Sequence, residues 1–305
     1  MKKLGSPELF DNKSECPETS WGQKFRNTRL VFRKKAGKLE FHTYGGDHRP
    51  HIFISQIERA DQDVAFNDFD YVRLYTTDNN PGYAMVESSA EPVFSQCYID
   101  TESGCYPASF KNEQYHKNLI CCPDFNFSNW LNFNHAEMYE NLLSLKLSDN
   151  AISKICWRGA ARIDSRKNLC KLTKKYPEHI DAYHVDGQNQ NHKMSLFDTF
   201  KNYKYIIDTQ AFGFSGRLKY LLLSGRLLFL QCRYHKCFFE KDLEPWVHYI
   251  PVSYDFSDII DKIKWAQLNE LECKKIIENA LKFSRSTFSI SNINKIWKKL
   301  LNNEN

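Results

Sequence analysis

The chain has no Cys-x-x-Cys pair, although it holds 10 cysteines among its 305 residues. Nor does it carry a cysteine–histidine ladder of zinc spacing, so a structural zinc module receives no support. Disulfides, metal and reduced thiols all remain open for those cysteines, and the reading favours reduced thiols. Most fall inside apolar stretches, where a thiol acts as a small hydrophobe. No apolar run approaches the ~18–20 residues that a helix needs to span a bilayer. The start, MKKLGSPE, has the positive charge of a leader but no apolar stretch after it, which points to a cytoplasmic protein. No repeat or low-complexity tract is visible. Neither GxGxxG nor GxxxxGK[ST] occurs, so the familiar dinucleotide and P-loop sites receive no support. Charge of one sign is scarce in excess: 42 basic against 37 acidic side chains leave +5. That balance suits phosphorylated ligands or an anionic membrane face and identifies neither.

What is present is enough apolar material for two cores, with 42% hydrophobic and 14% aromatic residues. Residues 29–41 read as a hairpin turning at Ala36-Gly37, and 50–60 as a strand or a helix. FDYVRLY (69–75) and 119–122 read as strands, and 135–147 as a helix. From 150 onward strands alternate with helices: strands at 152–157, 180–185, 203–208 and 227–230, with helices at 165–175 and 216–224. Ser257 is expected to cap a helix over about 259–266, and two more helices follow. Such alternation implies parallel pairing in a doubly wound α/β unit, with a boundary near residue 150.

In such sheets ligands bind where strands end and helices begin. Two loops stand out there: Trp157-Arg158-Gly159-Ala160-Ala161-Arg162, extended by Arg166, and Ala211 to Leu218. In the second, Gly213 and Gly216 allow close backbone approach to a ligand, Ser215 is placed to cap the helix, and Arg217 lies in its first turn. A helix N-terminus with arginines beside it suits a diphosphate. Ordinary loop punctuation with solvated arginines explains the same spacing equally well.

The ordered blocks Trp157-Arg158-Gly159, Lys204-Tyr205 with Asp208, Phe214 to Leu222, Leu243 to Val252, Ser257-Asp258-Ile259 and Trp265-Ala266 resemble the CAP10-like glycosyltransferases, family 90. The resemblance is strong over about 150–283 and weaker upstream through Cys122 to Phe125. It implies a GT-B-like architecture, two Rossmann-like domains facing across a cleft: residues 1–150 on the acceptor side, 151–283 binding the nucleotide-sugar, and 284–305 packing back toward the first domain. It also implies an inverting transferase with no metal in the site and no cofactor, the nucleotide-sugar being a substrate. Arg158, Ser215 and Arg217 match the donor motif, with Gly159, Arg162, Arg166 and Phe214 around them. Asp78, before Pro81, is the candidate base, weighed against a plain turn residue, and Asp124 is the second candidate. Cys237 stands where relatives commonly carry Glu, and Glu240, about one helical turn on, is the substitute for a ribose contact. Ala211 and Phe214 depart from the usual Gly and Trp. His248-Tyr249 reads as a cleft lining or as a structural pair, and His48-Arg49-Pro50-His51 receives no metal.

The resulting expectation is transfer from a nucleotide-sugar, UDP-linked, to lipopolysaccharide or a related glycan or glycolipid at the inner membrane face, without nucleic acid as a partner. The alternatives are a protein O-glycosyltransferase of the same fold and a non-catalytic sugar- or nucleotide-binding relative.

Overall fold

The structure is a computed structural model that describes residues 29–44, 49–76, 92–106, 118–130, 133–211 and 213–303. The first lobe opens on the expected hairpin, β1 (Arg29–Lys35) against β2 (Lys38–Tyr44). Ala36 and Gly37 both take positive φ, 49° and 74°, the left-handed geometry that tight two-residue turns require. Asp68 locks that turn by accepting both their N–H groups, at 2.6 and 2.8 Å.

The open reading of residues 50–60 resolves to helix α1 (Arg49–Val64), which buries Phe53, Gln56, Ile57 and Ala60 at helical spacing. β3 (Phe69–Tyr75) pairs antiparallel with β1, and β4 (Val93–Ser95) is parallel to it. A two-residue strand, β5 (Tyr98–Ile99), leaves this sheet, and β6 (Leu119–Cys121) completes it in the order β2-β1-β3-β4-β6. The short pair β7 (Asn129–Trp130) and β8 (Phe133–Asn134) leads into α2 (His135–Leu143). The Asn134 side chain caps α2 by accepting the N–H groups of Ala136 and Glu137, and the helix ends at Leu143, earlier than its apolar pattern suggested.

The second sheet is wholly parallel. Its strands β9 (Ile152–Gly159), β10 (Ile180–His184), β11 (Tyr203–Asp208), β12 (Leu227–Gln231) and β14 (Ile250–Val252) lie in the order β10-β9-β11-β12-β14. The short β13 (His235–Lys236) sits outside it, paired with β5 of the first lobe. The helices are α3 (Asp164–Lys175), α4 (Leu196–Asn202), α5 (Leu218–Leu223), α6 (Ile259–Leu268), α7 (Glu270–Thr287) and α8 (Ile290–Leu301). Ser257 does not cap α6. Asp258 holds the N-cap position without a side-chain cap, its carboxylate turned to the Ser253 N–H and hydroxyl.

One face of this sheet carries Ile155, Trp157, Ile207 and Phe229 against Leu169 of α3 and Ile263 of α6. The other face carries Ile206, Leu228 and Leu230, and its core runs without a break into Phe32, Phe53 and Phe94 of the first lobe. α5 lies in that shared core with all six residues buried, which explains why LKYLLL has no polar side. The polypeptide returns to the first lobe after Thr287. Trp297 of α8 is fully buried, edge-on to Phe53 and stacked on Phe94, and donates its indole N–H to Gln56. Burial of this kind typically stabilises a fold by about 3–5 kcal/mol when judged by truncation to alanine. The result is two α/β lobes on separate five-stranded sheets, the GT-B-like arrangement that the resemblance implies.

Candidate active site

The order of the second sheet singles out one place. From β9 the chain crosses outward to β10, then returns to lay β11 on the opposite side. The loops leaving β9 and β11 therefore diverge, and the crevice between them at the carboxyl ends is where open α/β sheets bind ligands. Both arginine-bearing loops end there.

Trp157 forms the floor. Its ring lies beneath two guanidinium groups, those of Arg166 and Arg217, each 5.6 Å from the ring centroid. Arg166 donates from Nε to the Gln210 carbonyl at 3.0 Å and from Nη1 to the Ala160 carbonyl at 3.3 Å. No carboxylate lies within ion-pair distance of it among the described residues. Burial, followed by the neighbouring charge of Arg217, pushes its pKa down to about 10. Arg217 donates from Nε to Asp208 at 3.2 Å and from Nη1 to the Arg158 carbonyl at 2.9 Å.

Asp208, at the end of β11, is the hub. It is fully buried and accepts from Ser215 Oγ at 3.0 Å, from Arg217 and from Arg233. Burial alone opposes its ionisation, but the guanidinium groups of Arg233 and Arg217 outweigh that and hold its carboxyl below the usual range. Arg233 continues the network to Glu240, donating from Nη2 at 3.0 Å. Three arginines thus face two carboxylates, and the surplus positive charge sits where Arg166 and Arg217 share Trp157.

Four polar atoms at this edge are buried without a hydrogen-bond partner among the described residues: Arg217 Nη2, Thr209 Oγ1, Gln210 Oε1 and Trp157 Nε1. Orphaned groups are uncommon in folded proteins, and four at neighbouring strand ends make this edge the candidate for a polar ligand.

The residues expected from the sequence divide. Arg217 and Arg166 come together over Trp157, and Ser215 joins them through Asp208. Ser215 caps nothing; its hydroxyl donates to Asp208, and its carbonyl receives the Leu218 N–H. Arg158 points away. Its guanidinium donates to the Asp181 carboxylate at 3.0 Å and to the Asp181 carbonyl at 2.6 Å, while Nε reaches the His192 carbonyl. Only its carbonyl joins the Arg217 network. Gly159 closes β9 tightly enough that a Cβ there would come within 3.0 Å of the Trp157 ring. Arg162 is exposed on the loop, near Asp186. Phe214 is buried edge-on against Phe125 of the first lobe.

Gly216 was expected to admit a ligand, but the space beside it is taken by the Asn126 amide, so the missing Cβ allows contact between lobes. Glu240 was expected to hold a ribose. Instead it is buried, with Oε1 accepting the Cys237 N–H at 2.7 Å and Oε2 accepting from Arg233. Asp124, the second candidate base, is sealed between the lobes. Both its oxygens take Lys219 Nζ at 3.0 Å, Oδ1 also takes the Asn126 N–H, and the carboxylate is buried away from the surface. Asp78 lies outside the described residues. His248 accepts the Glu244 N–H at 3.0 Å and serves a turn.

Sequence reading missed Arg233, Lys219, Thr209 and Gln210 as contributors. The available signal for Arg233 was a lone cation two residues beyond the end of β12, LLFLQ. The two Asp-x-Asp tripeptides, residues 61–63 and 68–70, lie in the first lobe. There Asp61 pairs with Lys34, Asp63 accepts from Asn294 and Asp68 holds the β1–β2 turn.

The chain is similar to known proteins. "Protein O-glucosyltransferase 2" from Danio rerio is 34% identical over 148 residues, covering 45% of this chain and 29% of that protein. "Protein O-glucosyltransferase 3" from Homo sapiens is 31% identical over 145 residues, covering 45% of this chain and 28% of the relative. These matches thus take in less than a third of the relatives' own length. Among solved structures, Anabaena Alr3699/HepE in complex with UDP-glucose overlays loosely, with a TM-score of 0.45 and 11% identity over 75% of this chain and 71% of that one. The family model Glycosyl transferase family 90 matches residues 60–304, and the chain belongs to that family.

Proposed function

We propose that the chain is an inverting glycosyltransferase that takes a sugar from a nucleotide diphosphate donor, with the diphosphate seated on Arg166 and Arg217 over Trp157. The observation that carries this reading is the surplus guanidinium at the switch point, with Arg217 Nη2 buried and without a partner among the described residues. Charge develops on the leaving diphosphate during transfer, and fixed donors in a low-dielectric setting stabilise it. Two rigid guanidinium groups perform here the neutralisation that a divalent cation performs elsewhere. Arg233 and Glu240 keep Asp208 ionised and in place, and Asp208 aims Arg217. The acceptor hydroxyl still needs a base. Asp78 holds that role in this proposal, since Asp124 is committed to Lys219.

The names of the relatives concern transfer of glucose to protein, which favours a protein acceptor. A lipopolysaccharide or related glycolipid at the cytoplasmic membrane face is the second reading, and it comes from the sequence alone. No helix among the described residues is long and apolar enough to cross a membrane.

A thermal-shift panel of UDP, UDP-glucose, UDP-galactose, UDP-xylose and a GDP-sugar tests the donor site. Ligand at 100 times its Kd stabilises the folded state by about 2.7 kcal/mol. Arg217→Ala is expected to abolish the shift given by the best donor; a shift that survives both Arg217→Ala and Arg166→Ala refutes the placement. Labelled donor offered to whole-cell protein and to lipid-linked glycan then assigns the acceptor by where the label goes.

A further inference from the structure

The two lobes are stitched by a seam apart from the donor edge. β5 and β13 pair so that His235 faces Ile99 and Lys236 faces Tyr98, and the Asp100 N–H donates to the Tyr234 carbonyl at 2.8 Å. This pairing fixes the turn that follows β5. Within it Ser103 Oγ donates to the Asp100 carbonyl at 2.9 Å, and Tyr106 packs edge-on against Tyr234 at 5.6 Å. Cys105 rides on that turn. Cys232 follows the last residue of β12, with its backbone N–H held by Val252 at 2.7 Å.

The two sulfurs are hydrogen-bonded 3.2 Å apart, although 127 residues separate them in the chain. Both are half-buried, as are Cys121 and Cys170, whereas Cys97, Cys122, Cys156, Cys237 and Cys273 are buried. A backbone hydrogen bond holds Cys232, and the bonded Asp100–Tyr106 turn carries Cys105, so the fold brings the two together. A disulfide at ~2.05 Å requires the sulfurs to close by only about 1 Å, within reach of side-chain rotation.

The surroundings make the two thiols unequal. Among the described residues, Lys236, Asp100, Tyr234, Tyr249 and Tyr254 are the charged and titratable groups around the pair. The hydrogen bond with Cys105, and then the charge of Lys236, draw the Cys232 pKa down to about 6 against the opposing effect of burial. The same hydrogen bond raises Cys105. Cys232 is therefore the nucleophile and Cys105 the resolving thiol.

We propose that Cys232 and Cys105 form a reversible thiol–disulfide site that reacts with low-molecular-weight disulfides such as oxidised glutathione and, once oxidised, staples the first lobe to the second. The Cys232 thiolate attacks one sulfur of the small disulfide and expels the other as a thiolate. Cys105 then attacks the Cys232 sulfur of the mixed disulfide, its proton passing to the second departing thiolate. Two protein thiols lose two electrons and form one S–S bond, and the small disulfide gains them as two thiols. The staple lies one residue from Arg233, so it restrains the strand end that carries the pillar of the donor network.

Peptide mapping of the full chain, equilibrated in glutathione buffers of graded ratio, quenched with acid and alkylated, tests this directly. The linked Cys105–Cys232 peptide is expected to form before any other. At pH 7, iodoacetamide should label Cys232 at least roughly tenfold faster than half-buried Cys170, whose thiol is raised by burial. In Cys105→Ser, glutathione should remain trapped on Cys232. Linkage of other cysteines in preference, or labelling of Cys232 no faster than Cys170, overturns the proposal. Both of those measurements use the unmodified chain and stand even if the variant does not fold.

Discussion

Replacing Asp208 with asparagine isolates the electrostatic core of the site. The change preserves size and removes one charge from a fully buried position that accepts from Ser215, Arg217 and Arg233. The new amide also turns an N–H group toward guanidinium donors. Breaking a buried ion pair from one side costs about 3–5 kcal/mol, because the partner is left buried and uncompensated. Glu240 still neutralises Arg233, so the lower end applies, about 3 kcal/mol. For a chain of this size that lowers Tm by about 6 °C, at roughly 2 °C per kcal/mol. Thermal unfolding followed by circular dichroism at pH 7 measures it. The pH dependence carries a second signature. The folded-state pKa of Asp208 lies below its unfolded value of ~3.9, so its contribution is complete above that pH and is lost as pH falls through the folded value. Wild type and Asp208→Asn should therefore diverge fully at pH 7 and converge progressively as pH falls from about 4. A Tm change under about 2 °C at pH 7, or a gap that persists undiminished in acid, refutes the hub.

Two further outcomes follow from the packing. Gly216→Ala places a Cβ against the Asn126 amide, the movable end of a short side chain; it should cost about 1 kcal/mol in urea unfolding, and Asn126→Ala should relieve that penalty in the double variant. His135 and His235 are held neutral by burial, with pKa values pushed down to about 3 and about 4. Each folded value lies below the unfolded ~6.5, so stability is complete above that pH and falls by about 1.4 kcal/mol per unit per histidine below it. Denaturant titrations at pH 7 and pH 5 should differ by about 4 kcal/mol, and His135→Gln should remove about half of that; a flat profile would falsify the neutral assignment.

The alternation of β9 through β12 with α3 to α5 was readable because apolar segments and their breaks carry local information. So was the gathering of arginines at two strand ends. What could not be read was direction. Trp157 and Arg158 are adjacent and so point to opposite faces of the pleat, which sends Arg158 to Asp181 on the edge strand and leaves Arg217 and Arg166 on the indole. Ser215 and Gly216 looked like punctuation for a helix start. Their roles depend on Asp208, seven residues before Ser215, and on Asn126 in the other lobe, and no spacing rule connects such partners. Glu240 fits the same pattern: its position one turn beyond Cys237 suggested an open carboxylate, and Arg233 closed it inward.

The seat of Trp297 on α1 has a consequence for the order in which the protein takes shape during synthesis. Gln56 and Trp297 are 241 positions apart, so at about 5–20 residues per second the first lobe waits roughly 12–48 s for the indole that fills its centre. During that interval Phe53 and Phe94 lack their partner, and the growing chain carries an exposed aromatic surface. The first lobe cannot mature as an independent unit ahead of the second, and its final packing is one of the last events of assembly. A nascent chain arrested after Thr287 should therefore bind a hydrophobic dye that the finished protein excludes.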